Sequence, residues 1–360
     1  MTKKIAVVGT VGLPAKYGGF ETLTEHLVNK KGNEFDFLIY CSKAAYPDGP
    51  LTYNKATLKY LPLNANGIQS IPYDIWGILH GLRKSDSLLV LGVSGCIILP
   101  FVKLISKKKI TVNIDGLEWK REKWGKLAKR YLRFSEKIAV KFADVVVADN
   151  KVIQDHIKNS YGKNAELIAY GADHTKAQNF SSETLKNFPF LNDAYGFKVC
   201  RIEPENNIEL ILEAFSEFKK LNLVLVGNWE VSDYARKLRL RFKSRPNLFL
   251  LDPIYDQGKL NQLRSNCYLY VHGHSAGGTN PSLVEAMYLG LPILAFGVNY
   301  NRETTGSSAE YFNDKDSLIS LLRSSNEIQL KKIGKKMNAI AVEHYTWKKV
   351  SESYARILSS

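Results

Sequence analysis

This sequence has little with which to tie itself together covalently or to cross a bilayer. Its four cysteines, Cys41, Cys96, Cys200 and Cys267, lie far apart, in or beside apolar runs. That spacing excludes a disulfide framework and a zinc module, and predicts buried free thiols in a reducing compartment. The longest apolar stretch, residues 88–105, is broken by Gly92, Ser94, Gly95 and Pro100, whereas a spanning helix needs about 20 apolar residues in succession. The opening M-T-K-K-I-A-V-V-G-T has too short an apolar run for a secretory signal. No low-complexity tract or repeat period stands out. Acidic side chains are scarce, 35 against 50 Lys and Arg, leaving a formal charge of +15. Such an excess predicts an anionic partner: nucleic acid, a nucleoside diphosphate or an acidic membrane leaflet. The expectation is a cytoplasmic protein, peripheral on the inner face of the cell membrane.

What the chain does have is one pattern used twice. A length of 360 residues exceeds the usual single-domain range and predicts two domains. Ile5 to Val8 reads as a buried parallel strand. It runs into G-T-V-G-L-P-A-K-Y-G-G-F-E at 9–21, then into a helix with Leu23, Leu27 and Val28 at apolar positions. Strand, glycine loop and helix open a nucleotide-binding α/β domain. The Gly-Lys-Ser/Thr ending of a P-loop is missing, and so is G-x-G-x-x-G, which argues against a bound dinucleotide. Two glycine clusters within eleven residues predict a loop that approaches something closely. Further strands are expected at 35–40, 57–61, 88–91, 110–114, 145–148 and 166–169. Alternation with helices predicts a parallel sheet covered on both faces. Ligands in such sheets collect at the carboxyl ends of strands, here the loops at 9–21, 92–95 and 115–120.

The third loop, D-G-L-E-W-K-R at 115–121, sets two carboxylates, an aromatic and two cations directly after a strand. Asp115, at the strand's end, is the functional candidate; Glu118 and Arg121 read as ordinary solvated groups. Residues 120–141 then hold nine Lys or Arg against Glu122 and Glu136, with Trp119, Trp124, Leu127, Tyr131, Leu132 and Phe134 interleaved. A cationic amphipathic surface with aromatic anchors favours docking on anionic lipid headgroups over a plain solvated face. Nucleic-acid binding lacks a recognition module.

A second set of strands is expected at 198–202, 223–226, 248–250, 267–271 and 293–296, with helices at 208–219 and 347–358. Arg201, at the end of its strand, is placed to grip a diphosphate in bidentate fashion or to form a surface salt bridge. The stretch V-H-G-H-S-A-G-G-T-N-P-S-L-V-E-A-M at 271–287 reads as a strand end, a small-residue loop and a helix over 281–289. Asn280 suits the N-cap and Pro281 the first helical position. A helix N-terminus behind a Gly-rich loop is an anion site. Glu285, one turn inside, is placed to accept hydrogen bonds from a polyol such as a ribose.

The stretches at 9–22, 115–121, 200–207 (C-R-I-E-P-E-N-N) and 273–287 together resemble GT-B glycosyltransferases of family GT4. The nearest resemblance is to bacterial rhamnosyltransferases with a distinctive N-terminal domain. The resemblance implies two Rossmann-like parallel-sheet domains facing a central cleft. It implies an N-terminal acceptor-side domain (1–174), a linker (175–194), a C-terminal nucleotide-sugar domain (195–345) and a last helix (346–360) packing back on the first domain. In the family, the Arg matching Arg201 contacts the donor diphosphate. Glu285 matches the second Glu of the E-x7-E motif, which holds the ribose. Three positions depart from the family: Gly277 replaces the first Glu, Asn206 the usual Lys, and Asp115 the usual His. These departures imply a changed donor site. The implied substrate-binding residues are Gly12, Tyr17, Gly18, Gly19, Arg201, His274, Gly277, Gly278, Thr279, Asn280 and Glu285. Asp115 leads the catalytic candidates, followed by Lys120, Glu203 and Glu205. The implied activity is retaining, metal-independent and cofactor-free transfer of L-rhamnose from dTDP-β-L-rhamnose to a polyprenyl-diphosphate-linked sugar in cell-surface polysaccharide biosynthesis. An anionic membrane surface is the expected partner, and nucleic acid is not. Transfer from a UDP-hexose or UDP-N-acetylhexosamine, and non-enzymatic binding, are the alternatives.

Overall fold

The computed structural model describes every residue except Met1, Tyr17, Asp115 and Lys123. It divides into two compact units, Met1–Tyr170 together with Trp347–Ser360, and Gly171–Thr346. The first is built on eight strands: β1 (Lys3–Val8), β2 (Phe35–Ser42), β3 (Thr52–Tyr53), β4 (Ala56–Leu61), β5 (Ser87–Leu91), β6 (Lys109–Asn113), β7 (Val145–Ala148) and β8 (Glu166–Leu167). Their order is β3-β4-β2-β1-β5-β6-β7-β8. Every pairing is parallel except that of the short β3 with β4. Ile5, Ala6, Val7 and Val8 are all fully buried. Successive strand residues point to opposite faces, so both faces are covered, as parallel sheets require.

The second unit holds β9 (Tyr195–Val199), β10 (Asn222–Val226), β11 (Leu248–Leu251), β12 (Leu269–His272), β13 (Ile293–Phe296) and β14 (Glu310–Phe312). All are parallel, in the order β11-β10-β9-β12-β13-β14. Phe215, Trp229, Leu225 and Val271 anchor the core on one face, each fully buried large side chain contributing roughly 1.5–3 kcal/mol. In both sheets the strand order reverses beside the first strand of the unit. Those switch points fall between β1 and β5, and between β9 and β12. Crevices outside the carboxyl ends of strands at such points are where ligands bind in open α/β sheets.

One strand boundary shifts, and the linker and the C-terminal helix take definite places. The strand predicted at 198–202 runs over Tyr195–Val199. Gly196 sits inside it because a Cβ there would lie 3.0 Å from the Phe215 ring. Arg201 therefore stands in the loop, two residues past the strand end. The segment read as a linker with a short helical piece, 175–194, carries a helix (Ser182–Asn187) and a 3₁₀ turn (Pro189–Asn192). It is fastened to the second unit: Ser181 N donates to Gln262 Oε1 at 2.8 Å, and Phe190 stacks on Phe249 at 3.7 Å. The C-terminal helix (Trp347–Ser359) belongs to the first unit. Trp347 stacks on His26 at 4.1 Å, and Asn113 Nδ2 donates to the Tyr354 hydroxyl at 2.7 Å. The four cysteines are free thiols; burial pushes that of Cys41 up to about 12. Among the described residues no helix is long and apolar enough to cross a membrane.

Candidate functional site

The two loops at the β9/β12 switch point are laced into one object. Asn206 Nδ2 donates to the Arg201 carbonyl at 2.7 Å, which fixes which end of the amide is oxygen. Asn206 Oδ1 then lies 2.9 Å from His274 Nδ1, so Nδ1 carries the proton and donates. The other ring nitrogen faces Gly277: a Cβ at that glycine would stand 3.1 Å from His274 Nε2. Asn207 Nδ2 donates to Gly273 O at 2.7 Å, and Ser275 donates twice to Glu205 O, from N at 2.8 Å and Oγ at 3.0 Å. Asn301 Nδ2 reaches the His274 and Phe296 carbonyls, both at 2.8 Å. Seven side-chain or loop hydrogen bonds of about 0.5–1.5 kcal/mol each hold this backbone in place before any ligand arrives. Asn206 thus braces the loop. Gly277 has φ 130° and Gly273 would clash with Asn206 O at 2.2 Å if it carried a Cβ.

The helix after the loop, Pro281–Tyr288, starts as its sequence predicts. Asn280 Oδ1 accepts from Ser282 N at 3.1 Å and from Ser282 Oγ at 2.8 Å. Thr279 and His274 are buried, while Gly278 and Asn280 are partly exposed. Glu285 is 14 % exposed and has two neighbours that sequence reading missed. Arg264 Nη2 lies 2.7 Å from Oε2, and His174 Nε2 lies 3.2 Å from Oε1. Burial alone would raise this carboxyl; Arg264 first, then His174, outweigh it and hold it below its usual range. Glu285 is therefore a fixed carboxylate at neutral pH. A signal for Arg264 existed: it follows Leu260 and Leu263 on the buried side of the helix Gln257–Ser265, where an arginine needs a partner. Nothing in the local sequence marks His174.

Arg201 is nearly half exposed, with Nε 3.7 Å from Glu203 Oε2. Glu203 opens the 3₁₀ turn Pro204–Asn206 and stays partly exposed. Glu205 is only 4 % exposed. Its backbone ties down Ser275, and its carboxylate is enclosed. His272, at the end of β12, is enclosed, with no hydrogen-bond partner on either ring nitrogen among the described residues. Burial, then the charges of Lys198 and His274, push its pKa far down.

In the first unit, the glycines of the β1 loop answer to the chain itself. A Cβ on Gly9 would lie 1.9 Å from Leu91 O, on Gly12 2.8 Å from the Tyr46 ring, on Gly18 1.9 Å from Glu21 Oε2, and on Gly19 3.2 Å from the Tyr170 hydroxyl. These approaches give each of the paired glycines a reason within the chain itself. Glu21, 6 % exposed, organises the loop: its Oε1 accepts from Val11 N at 2.6 Å and from Thr10 Oγ1 at 3.1 Å. The predicted site residues Tyr17 and Asp115 lie outside the described residues. Lys120 is exposed, its Nζ 5.6 Å from the centre of the Trp119 ring. Arg121 corrects the reading of solvated cations, being 7 % exposed and ion-paired with Glu118 at 3.1 Å. Trp124 Nε1 donates to the other Glu118 oxygen at 3.0 Å.

Comparison with known proteins adds two family matches. Residues 182–320 match the model of the Glycosyl transferases group 1 family, and residues 2–173 match a domain of unknown function, DUF1972. No curated protein matches by sequence. Among solved structures, sucrose-phosphate synthase of Thermosynechococcus elongatus superposes with a TM-score of 0.81 at 14% identity, over 99% of this chain and 98% of that one. HepE of Anabaena, solved in complex with UDP-glucose, gives 0.77 at 15% identity over 99% of each chain. A putative UDP-N-acetylglucosamine 2-epimerase of Listeria monocytogenes gives 0.62 at 15% identity, over 99% and 95%. The chain has the GT-B fold, and the match to the glycosyl transferases group 1 model falls within its second unit. Identities this low speak for the fold alone, and the epimerase shares it.

Proposed function

We propose that this protein is a retaining glycosyltransferase that moves L-rhamnose from dTDP-β-L-rhamnose to a lipid-diphosphate-linked sugar. The observation that carries transfer is the braced pair of loops at the β9/β12 switch point, inside residues that match the glycosyl transferases group 1 model. It places a glycine loop, a helix N-terminus and a fixed carboxylate together. Arg201, loop N–H groups and the N-terminus of Pro281–Tyr288 offset the charge that builds on the departing diphosphate, so the reaction needs no metal. Glu285, locked between Arg264 and His174, accepts a hydrogen bond from the nucleoside sugar; a thymidine donor offers its 3′-hydroxyl. What supports rhamnose is the four-stretch resemblance, including Gly277 and Asn206, where the wider family has the glutamate and the lysine. Asp115 orients or deprotonates the acceptor hydroxyl, which attacks on the leaving-group face.

The donor is tested by thermal shift with dTDP-, UDP- and GDP-sugars. Stabilisation by dTDP-rhamnose is expected; a response only to a UDP- or GDP-sugar overturns the donor, and transfer from UDP-glucose or UDP-N-acetylglucosamine then becomes the reading. Asp115→Asn is expected to lose at least about 100-fold in turnover with donor affinity unchanged. Undiminished transfer removes Asp115 from the mechanism.

A further inference from the structure

We propose that the first unit docks on an anionic bilayer through a face made by two adjacent helices. The short helix Leu99–Ile105, with the 3₁₀ turn Cys96–Ile98 before it, buries Cys96, Leu99 and Val102 against the unit. Its other side is apolar as well. Ile97 is 38%, Phe101 50%, Leu104 84% and Ile105 58% exposed. These positions are spaced i, i+4, i+7 and i+8, which makes one continuous stripe along a helix. A surface helix ordinarily carries polar groups there.

The basic helix Lys126–Phe142 packs beside it. Its place is fixed from below: the Tyr131 hydroxyl donates to Ser94 O at 2.6 Å, and Ser135 Oγ donates to Val93 O. Leu132, Ala139 and Val140 are buried, which turns Lys126, Arg130, Arg133, Lys137 and Lys141 outward. Leu127 (79% exposed) and Phe134 (52%) stand among those cations. The helix has one carboxylate, Glu136, and it is enclosed. Trp119 Nε1 donates to its Oε2 at 2.8 Å, and the Tyr161 hydroxyl and His156 Nε2 lie 2.7 and 2.8 Å from its Oε1. No acid on this helix therefore dilutes the outward charge.

An apolar stripe beside unneutralised cations matches both layers of an anionic leaflet: acyl chains for Leu104 and Ile105, headgroups for the Lys and Arg. Nucleic acid would use the cations and leave the stripe in water. A second copy would cover the stripe and, in a two-fold arrangement, would bring like-charged helices together. Charge complementarity thus selects the bilayer. Val93 and Ser94 follow β5, so the face borders the strand ends where a lipid-borne acceptor is needed. The docking proposal does not depend on the identity of the donor.

The test is cosedimentation of the full chain with vesicles of phosphatidylglycerol and phosphatidylcholine. Binding is expected to the mixed vesicles, to vanish on phosphatidylcholine alone, and to weaken at about 1 M salt, where screening reaches about 3 Å. Each lost cation is expected to lower partitioning roughly fivefold. Arg130→Glu with Arg133→Glu should therefore cost at least about 25-fold. Leu104→Ser with Ile105→Ser should weaken binding while leaving its salt dependence unchanged. All four side chains are exposed, so thermal unfolding of both double variants should match the parent, and so should donor turnover on a water-soluble acceptor. Equal vesicle binding by parent and variants overturns the proposal. So does RNA binding, or a dimer dispersed by Leu104→Ser/Ile105→Ser, in a protein that leaves the vesicles unbound.

Discussion

Replacing Arg264 with Met removes the cation 2.7 Å from the Glu285 carboxylate and leaves that carboxylate enclosed. Truncating one partner of a buried pair costs about 3–5 kcal/mol, because the charge left behind remains desolvated. Two features put this case at the lower end. His174 stays 3.2 Å from the other Glu285 oxygen. The Arg264 Nε and Nη1 atoms have no hydrogen-bond partner among the described residues, so the parent already carries part of the guanidinium's desolvation cost. About 3 kcal/mol is expected at pH 7. The pH dependence follows from the direction of the shift. In the parent, the Glu285 carboxyl lies below its usual range despite burial, because Arg264 and His174 favour the charged form. Its stabilisation is present above the unfolded value of about 4.3 and fades as pH falls through the lower folded value. In Arg264→Met burial dominates, and the folded pKa rises above the unfolded one. The variant is then penalised most at neutral pH, and its deficit shrinks on acidification toward about pH 4. Urea unfolding at pH 7 and pH 5 reads both effects. Adding Glu285→Gln should restore about 2 kcal/mol by removing the stranded charge. A pH-independent loss below about 1 kcal/mol, or additivity of the two substitutions within about 0.5 kcal/mol, refutes the reasoning.

Three further outcomes are expected. Gly277→Glu places a Cβ 3.1 Å from His274 Nε2 on a backbone with φ 130°. It should strain the loop by about 1–3 kcal/mol and weaken donor binding; a gain of UDP-hexose turnover contradicts this. Gly18→Ala drives a methyl group to 1.9 Å from Glu21 Oε2, again at φ 130°. It should lower stability by about 2 kcal/mol by displacing the carboxylate from Val11 and Thr10, and an unchanged melting temperature argues against Glu21 as the organiser. Burial first, then Lys198 and His274, hold His272 neutral in the folded state. The unfolded chain takes up a proton below about pH 6.5. Stability is therefore full above that value and falls below it, by up to about 1.4 kcal/mol per pH unit. His272→Leu should flatten the slope between pH 6.5 and 5; an unaltered slope assigns it to another group.

The parts legible in the sequence were those governed by local rules. Ile5–Val8 reads as a strand because burial on both faces demands four apolar residues in a row, and Asn280-Pro281 reads as a helix start because cap chemistry is local. The start of β9 is not legible locally, because the requirement for Gly196 inside it comes from Phe215 on a separate helix. The partners of Glu285 were illegible for the same reason: Arg264 and His174 are 21 and 111 positions away along the chain. The glycines at 9–19 are visible in the sequence, but a close approach there does not say whether the neighbour is a ligand or Leu91. Burial of Arg121 was hidden by composition, because a cation in a basic run looks solvated until its carboxylate is located.

The C-terminal helix has a consequence for how the protein is made. The first unit needs Trp347 against His26, Tyr354 against Asn113 and the Leu358 carbonyl against Lys3. A ribosome delivers these pieces only after the whole of 171–346 has been synthesised. The second unit, continuous in sequence, is free to fold while the first still waits with part of its apolar surface uncovered. The first unit thus finishes after the second, and a truncation within 347–360 would act on the first unit.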